Sequence, residues 1–308
     1  MRERDLIARH FAPLSQSRTA RGLADDAAVF APPLGRELVL THDILAAGIH
    51  YLSGDPPSDV AWKLLAVNLS DLAAMGARPV GVLLGLGLSP TEDETWVAAF
   101  AAGLQRGLER WRVALWGGDT VTGLAAAVLG LTAIGTVEPG TALSRSGARP
   151  GDGVWVSGTI GDAGLGLAIA RGDASFDKAL LARFRRPEPR LALGQALVGV
   201  ATAAMDVSDG LLIDAERLAV ASGVGITIEL ARVPVSGAAV ARTQRDDGGL
   251  LALATAGDDY ELLFTAAPDA VVPAGTTRVG TVSSGAGLTV LGVDGAVVVP
   301  QRLGWEHG

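Results

Sequence analysis

The 308-residue sequence contains no cysteine. This absence excludes a disulfide framework, a cysteine nucleophile, a thiolate zinc site and cysteine-ligated iron–sulfur clusters. Lysine is almost absent as well: of 25 basic residues only Lys63 and Lys178 are lysines, and the others are arginines. If the protein binds phosphates, lysine charges cannot be its main means of doing so.

Basic residues are fewer than acidic ones, 25 against 33, so the net charge is −8 at pH 7. An acidic balance argues against a nucleic-acid-binding surface. The N-terminal stretch has no continuous apolar run of the secretory type. The charge-free run 120–137 is broken by glycines and threonines, which favours two strands over a membrane span. We therefore expect a cytoplasmic protein with neither a nucleic-acid partner nor a membrane segment.

Several common catalytic motifs are also missing from the sequence. It has no GxxxxGK[ST] phosphate loop, no GxGxxG, no GxSxG, no HExxH, and no HRD or DFG of protein kinases. Its four histidines are too scattered to predict a zinc site. Any phosphate chemistry must therefore use a different arrangement of residues.

Apolar periodicity predicts alternating helices and strands along the whole chain, including a helix over 188–203. The segment 138–153 is rich in Gly, Pro and Ser, which is typical of a domain boundary or a long connecting loop. The length also fits two domains. We therefore expect an α/β (α+β) protein with domains at 1–137 and 138–308.

What stands out is a set of aspartates that follow or precede apolar runs beside glycine or other small residues, where α/β folds gather ligand sites. These are Asp25, Asp26, Asp43, Asp119, Asp206 and Asp209, and we expect an apolar strand directly after Asp25 and Asp26. Each one alone is as readily explained as a helix cap or a turn residue. Together they suggest Mg²⁺, which prefers carboxylate oxygens and bridges substrate phosphates.

Asp71 is the most unusual of the acids. Between Val60 and Ser89 the only other charged residues are Lys63 and Arg78. A buried, unpaired carboxylate in such an apolar stretch would be costly, so Asp71 needs a partner or a shifted pKa. A metal ion is one such partner.

These acids lie in motifs that resemble the thiamine-monophosphate kinase family over almost the whole chain. The most specific are NLSDLAAMGARP (68–79), GGDT (117–120), DVSDGL (206–211) and DYELLF (259–264), in this order and spacing. The wider superfamily shares the fold of aminoimidazole ribonucleotide synthetase, with two α/β domains. Its members usually dimerise through their N-terminal sheets.

The resemblance implies ATP-dependent phosphorylation of thiamine monophosphate to thiamine diphosphate, the final step of thiamine diphosphate biosynthesis. The γ-phosphoryl group would pass directly and in line to the acceptor, assisted by several Mg²⁺ ions and without a covalent or strong general-base residue. Domain 1–137 would bind ATP and metal and form the homodimer. Domain 138–308 would complete the substrate site.

Motif matching assigns individual residues to these roles. The metal-binding residues would be Asp26, Thr41, His42, Asp43, Asp71, Asp119, Asp206 and Asp209. The ATP-binding residues would be Gly118, Asp119, Arg145 and Ser208. The substrate-binding residues would be His50, Asp258 and Trp305.

The sequence departs from the family pattern at Ala24, His42, Asp258 and Trp305, where the family usually has Gly, Thr, Glu and a smaller aromatic residue. These changes concern substrate fit more than nucleotide or metal binding. Two alternatives stay open: a related kinase that acts on another small phosphate, and a non-catalytic regulator that binds ATP and Mg²⁺. Superfamily members that depend on a reactive Cys or selenocysteine are disfavoured.

Overall fold

The computed structural model describes residues 3–306 and divides into two compact units. The first takes the N-terminal part of the chain to Leu72, together with Ala77–Gly140. The second takes Ala73–Gly76 and the chain from Thr141 onward. The sequence did not indicate that the four residues 73–76 would join the second unit.

The first unit is built on a four-stranded sheet in the order β1-β4-β2-β3, in which only the β2–β3 pair is parallel. Its strands are β1 (Glu37–Ala46), β2 (Arg78–Leu88), β3 (Ala114–Thr122) and β4 (Val128–Val137). Its helices are α1 (Glu3–Leu6), which continues as a π-helical turn at Ile7–Phe11, then α2 (Pro57–Ala74) and α3 (Glu94–Trp111), with short 3₁₀ segments at Ala12–Leu14 and Arg18–Leu23.

Helix α3 shows how the sequence determines these elements. The side chain of Asp93 accepts the N–H of Trp96 at 2.8 Å and caps the first turn. Val97, Phe100 and Leu104 recur at helical spacing and are fully buried. The helix ends at Arg112, which is in the left-handed conformation.

Strand β1 is an edge strand whose two faces differ. Leu38, Leu40 and Ile44 point to one face and are exposed, whereas Leu45 on the other face is buried. An edge strand normally carries polar side chains on its open face. This outer face of β1 is therefore unusually apolar.

The second unit contains a seven-stranded mixed sheet in the order β11-β10-β7-β9-β5-β8-β6. Its strands are β5 (Gly153–Ser157), β6 (Ala201–Val207), β7 (Gly225–Glu229), β8 (Glu261–Ala266), β9 (Thr276–Ser283), β10 (Gly287–Leu291) and β11 (Val297–Val298). Its helices are α4 (Asp162–Arg171), α5 (Lys178–Arg185), α6 (Leu191–Leu197), α7 (Leu211–Ser222), α8 (Gly237–Val240) and α9 (Asp247–Ala254).

Helix α7 contributes Leu211, Leu212 and Leu218 to the main core of this second unit. That core also contains the inward side chains of β5, β6, β7 and β8. The packing places the N-terminal end of α7 directly after the end of β6, with Ser208–Gly210 as the connection. Of the predicted metal-binding aspartates, Asp206 precedes this connection and Asp209 lies within it.

The predicted α/β class is confirmed, but two local predictions are wrong. The helix expected over 188–203 ends at Leu197, and Ala201–Val207 instead forms strand β6 against β8. Alanine favours helix intrinsically, and sheet pairing overrides that weak preference. The strand expected after Asp26 does not form, since residues 27–33 have no regular secondary structure. Within residues 3–306, no helix has the length and apolar character needed to cross a membrane.

Close approach of α3 to the start of α2 gives the first prediction. A Cβ added to Gly103 would lie 2.2 Å from the carbonyl oxygen of Ser58. Gly103→Ala should therefore lower the stability of the protein by about 1–3 kcal/mol, because backbone rather than a flexible side chain would have to move. Thermal unfolding should show a lower Tm.

The matched control for this prediction is Gly54→Ala, because an added Cβ at that exposed position meets nothing within 4 Å. Its Tm should stay close to that of the parent protein. Equal Tm values for the two variants would contradict the proposed close packing at Gly103.

Candidate active site

Strand β1 and helix α2 bring three of the predicted metal-binding residues together. The hydroxyl of Thr41 donates a hydrogen bond to the carboxylate of Asp71. The N–H of Asp43 donates to Oδ1 of the buried Asn68 at 2.9 Å, and Asn68 is itself held by the carbonyl of Leu64. Asp71 is partly exposed. The expectation of a carboxylate buried in an apolar stretch is therefore corrected.

His42 lies on the opposite face of β1, because successive side chains of a strand alternate. Its Nδ1 lies 2.9 Å from the hydroxyl of Thr132 on β4. The ring borders a cavity of about 610 Å³ that is also lined by Asp26, Gly118 and Asp119. The predicted residues of the first unit thus form two sets, one beside α2 and one around this cavity.

The neighbouring acids Asp25 and Asp26 differ in their surroundings. Both line the cavity, but Asp25 forms an ion pair with Arg21 at 2.8 Å.

Gly118 occupies a place in β3 where an added Cβ would lie 2.0 Å from the carbonyl oxygen of Leu84. Only glycine fits there, because the backbone of Leu84 on β2 occupies the place of a side chain.

His50 follows β1 and is fixed from three directions. Its Nδ1 accepts the N–H of Ala46 at 3.1 Å, and its own N–H donates to the carbonyl of Ala46 at 3.0 Å. Its carbonyl accepts Nζ of Lys63 at 3.1 Å, and Lys63 is only 2% exposed. The sequence indicated that Lys63 is one of two lysines, but nothing in it indicated that Lys63 orients His50.

The predicted residues of the second unit meet at the connection from β6 to α7. Asp206 is buried at the end of β6. The carbonyl of Ser208 accepts the N–H of Asp258 at 2.7 Å, and the carbonyl of Asp209 accepts the N–H of Trp305 at 2.9 Å. Three segments far apart in sequence are therefore joined by direct backbone hydrogen bonds.

The segment that carries Asp258 has an unusual backbone. Gly257, Asp258 and Tyr260 have φ values of 78°, 63° and 50°. Left-handed conformations at non-glycine residues cost energy and persist only where surrounding contacts enforce them. Here the N–H of Tyr260 donates to the carbonyl of Val207 at 2.8 Å, and its hydroxyl donates to Oδ1 of Asp258 at 3.1 Å.

Asp214 on α7 holds the connection from the other side. Its Oδ2 accepts the N–H groups of Ser208, Asp209 and Gly210 at 3.1, 3.1 and 3.3 Å. Nη1 of Arg217 lies 2.9 Å from Oδ1 of Asp214 and 2.5 Å from Oδ2 of Asp209. Burial, followed by the charge of Asp209, raises the pKa of Asp214 to about 6, against the lowering effect of Arg217.

Asp259 anchors the strained segment to helix α4. Its carboxylate accepts the N–H of Gly161 at 2.7 Å and the N–H of Ala163 at 3.4 Å, so it caps a helix whose N-cap residue is a glycine. Burial raises the pKa of Asp259 to about 8, and the two N–H groups and the charge of Arg183 only partly oppose this shift.

Glu261 begins β8 and is fully buried. It accepts hydrogen bonds from Arg190, from Ser157 and from Nη2 of Arg183, the last at 2.8 Å. Burial acts to raise the pKa of Glu261, but the hydrogen bonds and charge of Arg190, with the charge of Arg183, outweigh it and lower the pKa. The glutamate is thus a compensated anion that fixes the strand next to Asp258 and Asp259.

Arg145 is the predicted residue that the second unit does not place with the others. Its carbonyl accepts the hydroxyl of Ser222 at 3.0 Å, and Ser222 ends helix α7. The connection Ser208–Gly210 precedes the other end of that helix, roughly 18 Å away at 1.5 Å per residue. Arg145 and Ser208 therefore lie at opposite ends of α7.

Among residues 3–306, no group of three or more His, Asp or Glu side chains is arranged to hold a metal ion by itself. Mg²⁺ commonly takes only one or two protein carboxylates and completes its shell with water and substrate phosphates. The oxygen donors Thr41, Asp43 and Asp71 fit a metal ion that is bound in this shared manner.

Family models for AIR synthase related proteins match both parts of the chain: the N-terminal domain model matches residues 24–137 and the C-terminal domain model residues 149–291. The chain is 40% identical to the thiamine-monophosphate kinase of Caulobacter vibrioides over 320 aligned residues, which cover 99% of this chain and 91% of that protein. The chain belongs to the thiamine-monophosphate kinase family.

Solved structures of this family resemble the present chain over almost its whole length. The thiamine-monophosphate kinase of Stenotrophomonas maltophilia has a TM-score of 0.82 and 38% identity, and the match covers 96% of each chain. AaThiL complexed with AMPPCP and TMP has a TM-score of 0.82 and 31% identity, and the match covers 100% of this chain and 99% of that chain. The predicted resemblance to this family is confirmed.

Family motifs pointed to Ser208, Asp209, Asp258 and Trp305, which backbone hydrogen bonds of the second unit join, and to Asp206 at the end of β6. They assigned no role to the residues that hold this network in place, which are Asp214, Arg217 and Asp259. The sequence signal for Asp214 is an acid in the first turn of a helix directly after DVSDG, where free N–H groups need an acceptor.

The raised pKa of Asp259 predicts a specific pH dependence of stability. Its pKa is about 8 in the folded protein and near the ordinary value of 3.8 when unfolded, so the folded state binds the proton more tightly. The stability supplied by this group is complete below about pH 4 and is lost as pH rises through about 8. Asp259→Asn, which cannot titrate, should flatten the fall of Tm between about pH 6 and 8.

Thermal unfolding across this pH range measures the effect, and Asp269→Asn is the matched control because it removes the same charge at an exposed position. A fall of Tm as steep in Asp259→Asn as in the parent protein would mean that Asp259 is not the group responsible.

Proposed function

We propose that this chain transfers the γ-phosphoryl group of ATP to thiamine monophosphate and so forms thiamine diphosphate, the last step of thiamine diphosphate biosynthesis. The observation that carries this proposal is the 40% identity to a thiamine-monophosphate kinase over 99% of the chain. The match to AaThiL with AMPPCP and TMP supports it, since AMPPCP is an ATP analogue that cannot pass on its terminal phosphate.

The transfer needs little covalent chemistry from the protein. The acceptor phosphate has a second pKa of about 6, so it is ionised near neutral pH and requires no strong base. The difficulty is to bring two polyanions into line, which calls for charge neutralisation and exact positioning. We therefore infer direct in-line transfer without a phosphoenzyme, and we assign no catalytic nucleophile.

We propose that Mg²⁺, when bound, would supply the charge neutralisation that the phosphates of ATP and substrate need. The residues that would hold them are Asp26, Thr41, Asp43, Asp71 and Asp119 in the first unit and Asp206 and Asp209 in the second. His42 would contribute through its backbone, because its imidazole lies on the opposite face of β1 from Asp43. These residues would orient the ions and the nucleotide.

Nucleotide and substrate contacts follow the same assignment. Gly118, Asp119, Ser208 and Arg145 would contact ATP. His50 would donate from Nε2, because its Nδ1 accepts a backbone N–H in the neutral ring. The half-exposed indole of Trp305 would stack on a ring of the thiamine, and Asp258 would bind a polar group of it.

We further infer that the protein works as a homodimer in the cytoplasm. The apolar outer face of β1, formed by Leu38, Leu40 and Ile44, supports a partner sheet at this place. A second copy of the chain is the partner that the family pattern implies.

The decisive experiment is conversion of thiamine monophosphate by the purified protein with ATP and Mg²⁺. We expect thiamine diphosphate from the monophosphate, none from free thiamine, and none when EDTA is present. Binding of AMPPCP without any product from thiamine monophosphate would contradict the proposal. Phosphorylation of another small phosphate in a parallel panel would then identify the alternative kinase.

Asp71 gives a residue-level prediction. Asp71→Asn keeps the size of the side chain and an acceptor for Thr41 but removes the charge. We expect kcat to fall by about tenfold or more, as it commonly does when a metal site is perturbed, with only partial recovery at high Mg²⁺. Steady-state kinetics over a Mg²⁺ series measure this.

The matched control is Glu109→Gln, which removes one charge from an exposed position of α3 in the same unit. It should leave both kcat and the Mg²⁺ dependence unchanged. Parent-like turnover of Asp71→Asn at every Mg²⁺ concentration would remove Asp71 from the proposed metal-binding set.

A further inference from the structure

The carboxylate of Asp214 performs a task that the proposed function does not assign to any residue. One of its oxygens accepts three successive N–H groups, from Ser208, Asp209 and Gly210. The side chain is fully buried, so no water competes for these hydrogen bonds. A single anion therefore fixes the backbone of the whole connection between β6 and α7.

The other oxygen of Asp214 extends this control to a side chain. Arg217 lies one helical turn further along α7, and its Nη1 bridges Oδ1 of Asp214 and Oδ2 of Asp209. A charge-assisted bridge of this kind restricts where the Asp209 carboxylate can point. Asp214 thus sets both the backbone position and the side-chain direction of Asp209.

The fixed connection in turn supports two more residues of the candidate site. The carbonyl of Ser208 holds the N–H of Asp258, and the carbonyl of Asp209 holds the N–H of Trp305. A shift of the 208–210 backbone would move these two residues with it.

We propose that Asp214 is a positioning residue for phosphoryl transfer, which acts by fixing Ser208–Gly210 and, through Arg217, by orienting the carboxylate of Asp209. The proposal rests on the proposed function for the identity of the reaction. It adds a residue whose hydrogen bonds go to other protein groups and to which the proposed function assigns no ligand contact. It also assigns Arg217 a role in orienting the predicted metal-binding residue Asp209.

Asp214→Asn tests the proposal with a minimal change. The amide oxygen can still accept the three N–H groups, but the NH₂ group then faces Arg217, donor against donor, and the bridge to Asp209 is lost. We expect kcat to fall about 10–100-fold, the range typical of groups that support a metal site, and KM for thiamine monophosphate to rise more than KM for ATP. The matched control is Glu216→Gln, which removes one negative charge from a nearby residue of α7. It should leave kcat and both KM values unchanged.

A second readout does not depend on turnover. Calorimetric titration with AMPPCP over a Mg²⁺ series should show that Asp214→Asn needs at least about tenfold more Mg²⁺ for half-maximal binding. Measurements are made well below the Tm of each variant, so that all protein is folded. A lower Tm with unchanged kinetics and unchanged Mg²⁺ dependence would show that Asp214 only stabilises the fold and would overturn the proposal.

Arg217→Met keeps the proposal testable if Asp214→Asn does not fold. This variant leaves the three backbone hydrogen bonds intact and removes a side chain that is 38% exposed. We expect it to raise the Mg²⁺ concentration needed for half-maximal AMPPCP binding at least about threefold. This is about half, on a logarithmic scale, of the tenfold shift expected for Asp214→Asn. An unchanged or lower Mg²⁺ requirement would overturn the role given to Arg217.

The two proposals fail in different ways. If the parent protein binds AMPPCP with Mg²⁺ but converts no thiamine monophosphate, the proposed function is wrong. The comparison of Mg²⁺-dependent binding between the parent, Asp214→Asn and Glu216→Gln then still decides whether Asp214 positions Asp209.

Discussion

Backbone N–H groups that leave a strand or begin a helix must find an acceptor, and in the second unit buried carboxylates accept them. Asp214 takes three such groups and Asp259 takes two. An empty place would leave buried donors without a partner, at a cost of about 1–3 kcal/mol each. The connection before α7 depends on Asp214 as this acceptor, and the segment that carries the strained Asp258 depends on the buried carboxyl group of Asp259.

The same constraint gives several of the acids a structural role. Asp214, Asp259 and Glu261 are buried and hydrogen-bonded to the protein, and they support neighbours that are more exposed. The predicted ligand-binding residues Asp26, Asp119 and Asp209 are exposed or partly exposed. Burial alone does not separate the two groups, because the predicted metal-binding residue Asp206 is also buried.

Much of the fold could be predicted from the sequence because long elements have strong apolar periodicity, as α3 and β2 do. The segment 201–207 could not, because its alanines favour helix and only pairing with β8 makes it a strand. The orientation of His42 depends on strand register, since a shift of one residue would exchange the faces. No motif indicated the role of Asp214, because that role depends on the fold, which brings three backbone N–H groups to its side chain. The family resemblance assigned roles to residues of the candidate site but assigned none to the residues that hold them in place.

The burial of Lys63 has a consequence for labelling the protein. Lys63 is 2% exposed and its ammonium group is bonded to the carbonyl of His50, whereas Lys178, the only other lysine side chain, is exposed at the start of α5. Amine-reactive reagents attack the accessible, deprotonated amine. Among lysine side chains, a fluorophore would therefore attach at one defined place, on a helix that carries none of the predicted site residues.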